Sequence, residues 1–282
     1  MIRLYVRAAI LLFLILSNVL IWYAVSAEEG DTLKVSFLDV GQGDAIFIEA
    51  PNGNQMLIDG GKGKVVLEEL AKVMPSYDRS IDIVLATHPD ADHIGGLPEV
   101  LNRFDVSLFL EPGVSSDSAI YQGLEEIVKE KGIKKILARR GMNINLGGGV
   151  TFIVLFPDRD VSQFETNTAS IVGKLVYGDS SFLLTGDSPK KIEQYLILLD
   201  KKGLDSDVLK AGHHGSRTSS DEFFVQAVSP EYTIISAGKN NQYGHPHKEV
   251  LDILKRFGTV ILNTYETGTI TFEVTESGLV LK

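Results

Sequence analysis

No cysteine occurs in the 282 residues. Disulfides and thiolate metal sites are therefore both excluded. The absence fits a reducing or an oxidising compartment equally. A basic surplus is also missing: 27 Lys and Arg stand against 37 Asp and Glu, for a formal net charge of −10. That balance argues against broad electrostatic capture of nucleic acid. It does not exclude a phosphodiester substrate, because bound metal ions would reverse the local field. Linkers, low-complexity segments and strong internal repeats are lacking too. The glycine-bearing stretch "DVGQGDA" (39–45) has no following Gly-Lys-Ser/Thr, so it is a turn and not a nucleotide-phosphate loop. Its Asp39 and Asp44 either stiffen that turn or reach the surroundings of a metal centre.

What is present begins with a distinct leader. Arg3 and Arg7 precede an 18-residue apolar run from Ala8 to Val25, and "VSA" ends at Ala27 before "EEGD". A positive start, an apolar middle and a small-residue end read as a secretory signal. The run is also just long enough for a short spanning anchor, with Trp22 and Tyr23 suited to an interface. Residues 1–27 are thus expected to export the chain across, or anchor it to, the cytoplasmic membrane through 8–25. A single domain is expected over 32–282, lying outside the cytoplasm. The composition, 44% apolar and 23% charged, is that of a globular chain with a real core.

From Thr32 onward, short apolar runs alternate with amphipathic stretches. "LKVSFLDV", "AIFIEA" and "QMLID" read as antiparallel strands parted by turns. "IDIVLAT" (81–87) reads as a buried strand. Further strands are expected at "KKILAR", "VTFIVLF", "ASIVGKLVY", "SSFLLTG", "DVLKAG", "YTIISAG", "TVILNT" and "GTITFEV". Helical spacing marks 64–74, 118–131, 189–201, 220–228 and 247–257. Two sheets packed face to face, with helices outside, accommodate this order.

All six histidines fall into three groups, His88/His93, His213/His214 and His245/His247, each after an expected strand. Strand-end loops are where a rigid sheet can present ligands to one point. In "THPDADHIGG" (87–96), alternate residues of an extended loop point the same way, so His88, Asp90 and Asp92 face one centre and His93 a neighbouring one. Imidazole with carboxylate suits Zn²⁺, Mn²⁺ or Fe²⁺. Burying these groups without a cation would cost several kcal/mol each through desolvation and carboxylate repulsion. Asp187 ends the apolar strand "FLLTGD", where a lone carboxylate is costly; capping the following helix is its other reading.

The motif "THPDADHIGG", with "FLDVGQGDA", "LIDGG", "LLTGD", "DVLKAGHHGS" and "YGHP" in that order, resembles the metallo-β-lactamase superfamily. Within it, the pattern is similar to the hydrolase domain of ComEC-type DNA-uptake proteins and its free-standing relatives. The resemblance implies an α/β fold, the four-layer αββα sandwich, with two divalent metal ions (Zn or Mn) on one edge. It assigns His88 and Asp90 to a first metal, Asp92 and His93 to a second, and Asp187 as the bridge. His213 or His214 is the late histidine ligand, and Asp59 supports the ligands from behind. The usual second histidine of the motif is replaced by Asp90. "ETNTAS" (165–170) supplies Asn167 and Ser170 where the superfamily has a further histidine. An amide oxygen is a weaker ligand than imidazole, which favours harder ions such as Mn²⁺. Ser216 and Arg217 are candidate substrate contacts, although a solvent-exposed arginine is the simpler reading of Arg217. His245 is expected to line the pocket, and His247 to be structural.

The implied reaction is hydrolysis of a phosphodiester, DNA included, by a water activated between two metals, with Asp92, Asp187, His214 and His245 as catalytic residues. The acidic balance favours short or single-stranded substrates. A β-lactam or other ester or amide is the second expectation, and an exported binding module without turnover the third. No protein partner is expected.

Overall fold

The computed structural model describes residues 2–28, 31–275 and 277–282, with the backbone alone at 2–4, 8 and 21–28. Strands β1 (Leu33–Phe37), β2 (Ile46–Glu49), β3 (Gln55–Ile58), β4 (Ser80–Leu85), β5 (Asp105–Glu111) and β6 (Lys134–Leu137) build the first sheet. Strands β7 (Asn143–Gly147), β8 (Val150–Phe156), β9 (Val172–Tyr177), β10 (Ser180–Leu184), β11 (Val208–Lys210), β12 (Tyr232–Ile235) and β13 (Val260–Asn263) build the second. The chain then returns to the first sheet with β14 (Ile270–Thr275) and β15 (Gly278–Leu281). Spatial order is β15-β14-β1-β2-β3-β4-β5-β6 in one sheet and β13-β12-β11-β10-β9-β8-β7 in the other. Strands β3 to β6 run parallel, and so do β10 to β13.

Alternation along each strand divides its side chains between two cores. Ile46, Ile48, Met56 and Ile58 enter the core between the sheets, whereas Phe47 and Leu57 face the helical side. In the second sheet, Phe182, Val208 and Ile234 point inward to the shared core, whereas Leu183, Leu209 and Ile235 point outward. The ring of Phe272 joins the layers, meeting Phe37 edge-on at 6.2 Å and Phe182 at 5.9 Å. Outside the first sheet lie helices α2 (Val65–Val73), α3 (Ala91–Ile94), α4 (Leu97–Arg103) and α5 (Ala119–Glu130). Outside the second lie α6 (Lys190–Asp200), α7 (Glu222–Val228) and α8 (Lys248–Arg256). This is the four-layer αββα order. The expected helices and strands are present. The segments 97–103, 105–111, 143–147 and 278–281 are elements that the periodicity did not single out.

Helix α1 (Ile2–Glu28) precedes the sheets, and its side chains from Ile10 to Leu16 are exposed. No helix among the described residues is long and apolar enough to cross a membrane. The side chains of Ala8 and of 21–25 within the apolar run, and that of Ala27 at its boundary, lie outside what is described.

Candidate metal centre

The parallel halves of both sheets end on the same edge, and the polar loops leave from those ends. Asp59 follows β3, Thr87 and His88 follow β4, Asp187 follows β10, and Lys210 with His213 and His214 ends or follows β11. Thus three separate sequence regions meet at Asp187. His93 Nε2 lies 3.2 Å from Asp187 Oδ1 and 3.3 Å from His214 Nε2. His214 Nε2 lies 3.5 Å from Asp92 Oδ2 and 3.5 Å from Asp187 Oδ2. On the other side, His88 Nε2 is 3.7 Å from Asp90 Oδ2 and 3.9 Å from Asp187 Oδ2.

The ring tautomers follow from what each Nδ1 faces. His93 Nδ1 donates to Asp59 Oδ2 at 2.7 Å. His214 Nδ1 donates to the Ser236 carbonyl at 2.9 Å. Thr87 Oγ1 donates to Asp59 Oδ2 at 2.7 Å, so it accepts from His88 Nδ1 at 3.1 Å. In its neutral form each ring therefore aims an Nε2 lone pair into the centre. The Nε2 of His88, the Oδ1 of Asp187 and the Oδ1 of Asn167 are buried without a hydrogen-bond partner among the described residues. Buried polar atoms are normally paired. Converging lone pairs and carboxylates without donors fit a divalent cation, and the N/O donor set suits Zn²⁺, Mn²⁺ or Fe²⁺.

The electrostatics agree. Burial opposes a charge on His93, yet Asp187 and Asp59 outweigh it and raise its pKa well above the usual 6.5. His214 is pushed up to about 9, as Asp187 and Asp44 overcome its burial. Burial disfavours the Asp187 anion, but His214 and His93 hold it well below the carboxylate range. The field at the two facing Nε2 atoms thus favours positive charge. His88 behaves oppositely: burial, then the neighbouring His93, pushes it down to about 3.

Asp44, His93, Asp187 and His214 also form a set whose donor atoms lie within 4.8 Å of one another. Within that set Asp44 stands behind the ligands. Its Oδ1 meets His214 on the Nδ1 side, at 3.3 Å, and its other oxygen is paired with the fully buried Lys210. Burial raises its pKa, but Lys210 and His214 together bring it down to about 2. Asp92, which faces His214 Nε2, is the better placed ligand.

The remaining expected residues take distinct places. His214 joins the buried cluster. His213 is more exposed, with Nδ1 against Thr218 Oγ1 and Nε2 3.6 Å from Asp187 Oδ2. Both adopt left-handed backbone, at φ 49° and 56°, a costly conformation for non-glycine residues that clusters at functional sites. Ser170 Oγ accepts from the Asp187 amide at 3.3 Å and so fixes the position of that residue. Ser216 is buried and bonded to Thr218. Arg217 is exposed, 3.7 Å from Glu249. His247 Nδ1 accepts from the Arg217 amide, a structural role. A cleft of about 170 Å³ opens over Asp187, walled by Asp90 and Asp92, by His213 and His245, and by Gln42 and Tyr243. Burial, with His213 and His214, pushes His245 down to about 4, so it is neutral at pH 7.

Thr87, Lys210 and Gln42 were not singled out from the sequence. The signal for Lys210 was available: a lysine inside an otherwise apolar strand needs a buried partner. The close fit of "GQGD" was not legible. The Asp44 amide bonds the Asp92 carbonyl at 3.3 Å, and a Cβ on Gly43 would lie 2.0 Å from that same oxygen. The turn therefore sits directly on the ligand loop.

Known proteins resemble this chain in sequence and in fold. Residues 38–239 match the metallo-beta-lactamase superfamily model. ComE operon protein 3 of Bacillus subtilis (strain 168) is 31% identical over 267 residues, covering 89% of this chain and 34% of that protein. Competence protein ComA of Neisseria gonorrhoeae is 30% identical over 261 residues, covering 91% of this chain and 34% of that protein. The chain thus spans about a third of the length of these relatives. The crystal structure of the metallo-beta-lactamase fold protein YhfI from Bacillus subtilis superposes with a TM-score of 0.58 at 14% identity, over 86% of this chain and 99% of that one. A family match over most of the two sheets, with the ligand loops at their common edge, leads to one conclusion: this chain belongs to the metallo-β-lactamase superfamily.

Proposed function

We propose that the protein is a phosphodiesterase whose centre holds two divalent ions and whose substrate is a short or single-stranded nucleic acid. The observation that carries the metal reading is the convergence of three histidine Nε2 atoms, each with its Nδ1 engaged, on the buried carboxylate of Asp187. His88, Asp90 and the unpartnered Asn167 oxygen would hold one ion. Asp92, His93 and His214 would hold the other, with Asp187 between them. When bound, such ions supply an activated water and Lewis acidity toward the electrophile.

The chain's own residues do the rest. Asp59 and Ser236 fix which nitrogen of His93 and His214 faces the ions. His245, neutral and beside the cleft, presents an N–H to the leaving oxygen. The exposed ring of Tyr243, stacked at 5.6 Å on His245, offers a face for an unpaired base. The similarity to a competence protein supports DNA as the natural substrate, and the net charge of −10 favours a small footprint on it. The apolar run after Arg3 and Arg7 supports export or membrane attachment, which fractionation of expressing cells tests directly.

Hydrolysis of bis(p-nitrophenyl) phosphate by the full chain, stripped of metal and then titrated with Mn²⁺ or Zn²⁺, tests the reaction. Metal-dependent release that disappears in Asp187→Ala is expected. Stoichiometric metal binding without release would move the substrate to esters or lactams.

A further inference from the structure

The turn "GQGD" is built more tightly than a spacer requires. Gly41 and Gly43 have φ of 75° and 127°, and Gly43 leaves no room for a side chain against the Asp92 carbonyl. Between these glycines the turn delivers one side chain, Gln42, into the wall of the cleft. Its orientation is settled by its oxygen, which accepts from the Gly238 amide at 3.2 Å. The amide nitrogen is therefore the free end. That Nε2 is buried and has no partner among the described residues, although carboxylates line the same cleft. A buried donor left unmade costs about 1–3 kcal/mol, so its retention calls for a partner brought from outside. Asp92 and Asp187 lie against the Nε2 atoms of His214 and His93, where the ions would be held, and neither partners Gln42. What an N–H among them lacks is an anionic oxygen carried by the substrate.

We propose that Gln42 Nε2 donates a hydrogen bond to a non-bridging oxygen of the substrate phosphate, in the ground state and more strongly as charge grows there. This deepens the phosphodiesterase reading and rests on it. Gln42→Glu keeps the shape and the acceptor for Gly238 but removes the donor and adds like charge. Gln42→Met removes both polar ends. The full chain with bound Mn²⁺ is assayed for kcat and KM on bis(p-nitrophenyl) phosphate and for inhibition by inorganic phosphate. Metal stoichiometry and melting temperature are measured alongside. Both variants should lower kcat/KM and raise the phosphate Ki by about tenfold to a hundredfold, the range for a hydrogen bond to an ionised acceptor. Gln42→Glu should keep wild-type metal stoichiometry and remain folded, with a melting temperature lowered by the added buried carboxylate, so it decides the matter if the Met variant fails to fold. A Glu variant within twofold of wild type in kcat/KM and Ki overturns the proposal while leaving the phosphodiesterase reading intact. A wild-type chain that binds metal yet neither cleaves the ester nor is occupied by phosphate overturns both.

Discussion

Asp59→Asn isolates the device that aims the histidines. Asp59 is fully buried, and its φ of 60° is one that Asn adopts as readily as Asp. Its Oδ1 accepts from the Thr87 amide at 2.7 Å, and its Oδ2 accepts from Thr87 Oγ1 and from His93 Nδ1, both at 2.7 Å. In the variant the amide oxygen can keep the Thr87 amide. The new NH₂ then faces the Thr87 hydroxyl, which already accepts from His88, and the Nδ1–H of His93, which loses its acceptor. Moving the His93 proton to Nε2 relieves this contact, and it points an N–H where a lone pair is needed. Loss of a partner behind a metal-binding histidine typically lowers affinity about 10–100-fold, or ~1.4–2.7 kcal/mol. Metal-free stability should change less. One charge-assisted hydrogen bond is lost, about 1.5–3 kcal/mol, but a buried neutral amide is easier to desolvate than a carboxylate. Burial already raises the Asp59 pKa in the folded protein. Chelator competition with Zn²⁺ or Mn²⁺ measures the affinity, long-range proton–nitrogen spectra report the tautomer, and urea titration gives the stability. Wild-type affinity with the His93 proton still on Nδ1 would refute the reasoning, because Asp59 would then not set the tautomer.

Three further outcomes follow from the same geometry. Gly43→Ala places a Cβ 2.0 Å from the Asp92 carbonyl oxygen at a φ of 127°, so the turn must shift off the ligand loop; turnover should fall at least tenfold in steady-state assays, and a variant with wild-type rates would show that the close approach is dispensable. Lys210→Met strands the Asp44 carboxylate in a fully buried site; urea titration should register a loss of about 3–5 kcal/mol, much of it regained when Asp44→Asn is added. Burial pushes the Glu193 carboxyl up to about 7, despite amides of Ser220 and Asp221 donating to it at 2.8 and 2.7 Å. The folded protein thus binds the extra proton between about 4.5 and about 7. The contribution is full below that window and is lost as pH rises through it, up to roughly 3 kcal/mol. Glu193→Gln should flatten this part of the stability curve; parallel curves for variant and wild type would contradict the assignment.

The strand and helix positions were legible because burial imposes periods that the sequence must carry. β8 (Val150–Phe156) alternates buried and half-buried residues, and α8 repeats its apolar face around Val250 and Leu254. β5 escaped because "DVSLFLE" starts exposed and ends buried, mixing two patterns within one strand. The gathering of candidate donors was legible because six histidines in three strand-end groups have few uses other than a shared centre.

Residue type and local spacing alone determined where most strands and helices fall and which donors gather at strand ends, whereas the αββα layers and their shared edge were implied by the motifs' resemblance to a known family. Only the tertiary structure decided which nitrogen of each histidine faces the centre, that His214 rather than His213 joins the buried cluster, and that Asp44 and Lys210 stand behind it. Those choices depend on partners far apart along the chain, such as Asp59 with His93 and Ser236 with His214. Hydrogen-bond direction is a property of pairs in space, and no single stretch of sequence carries it.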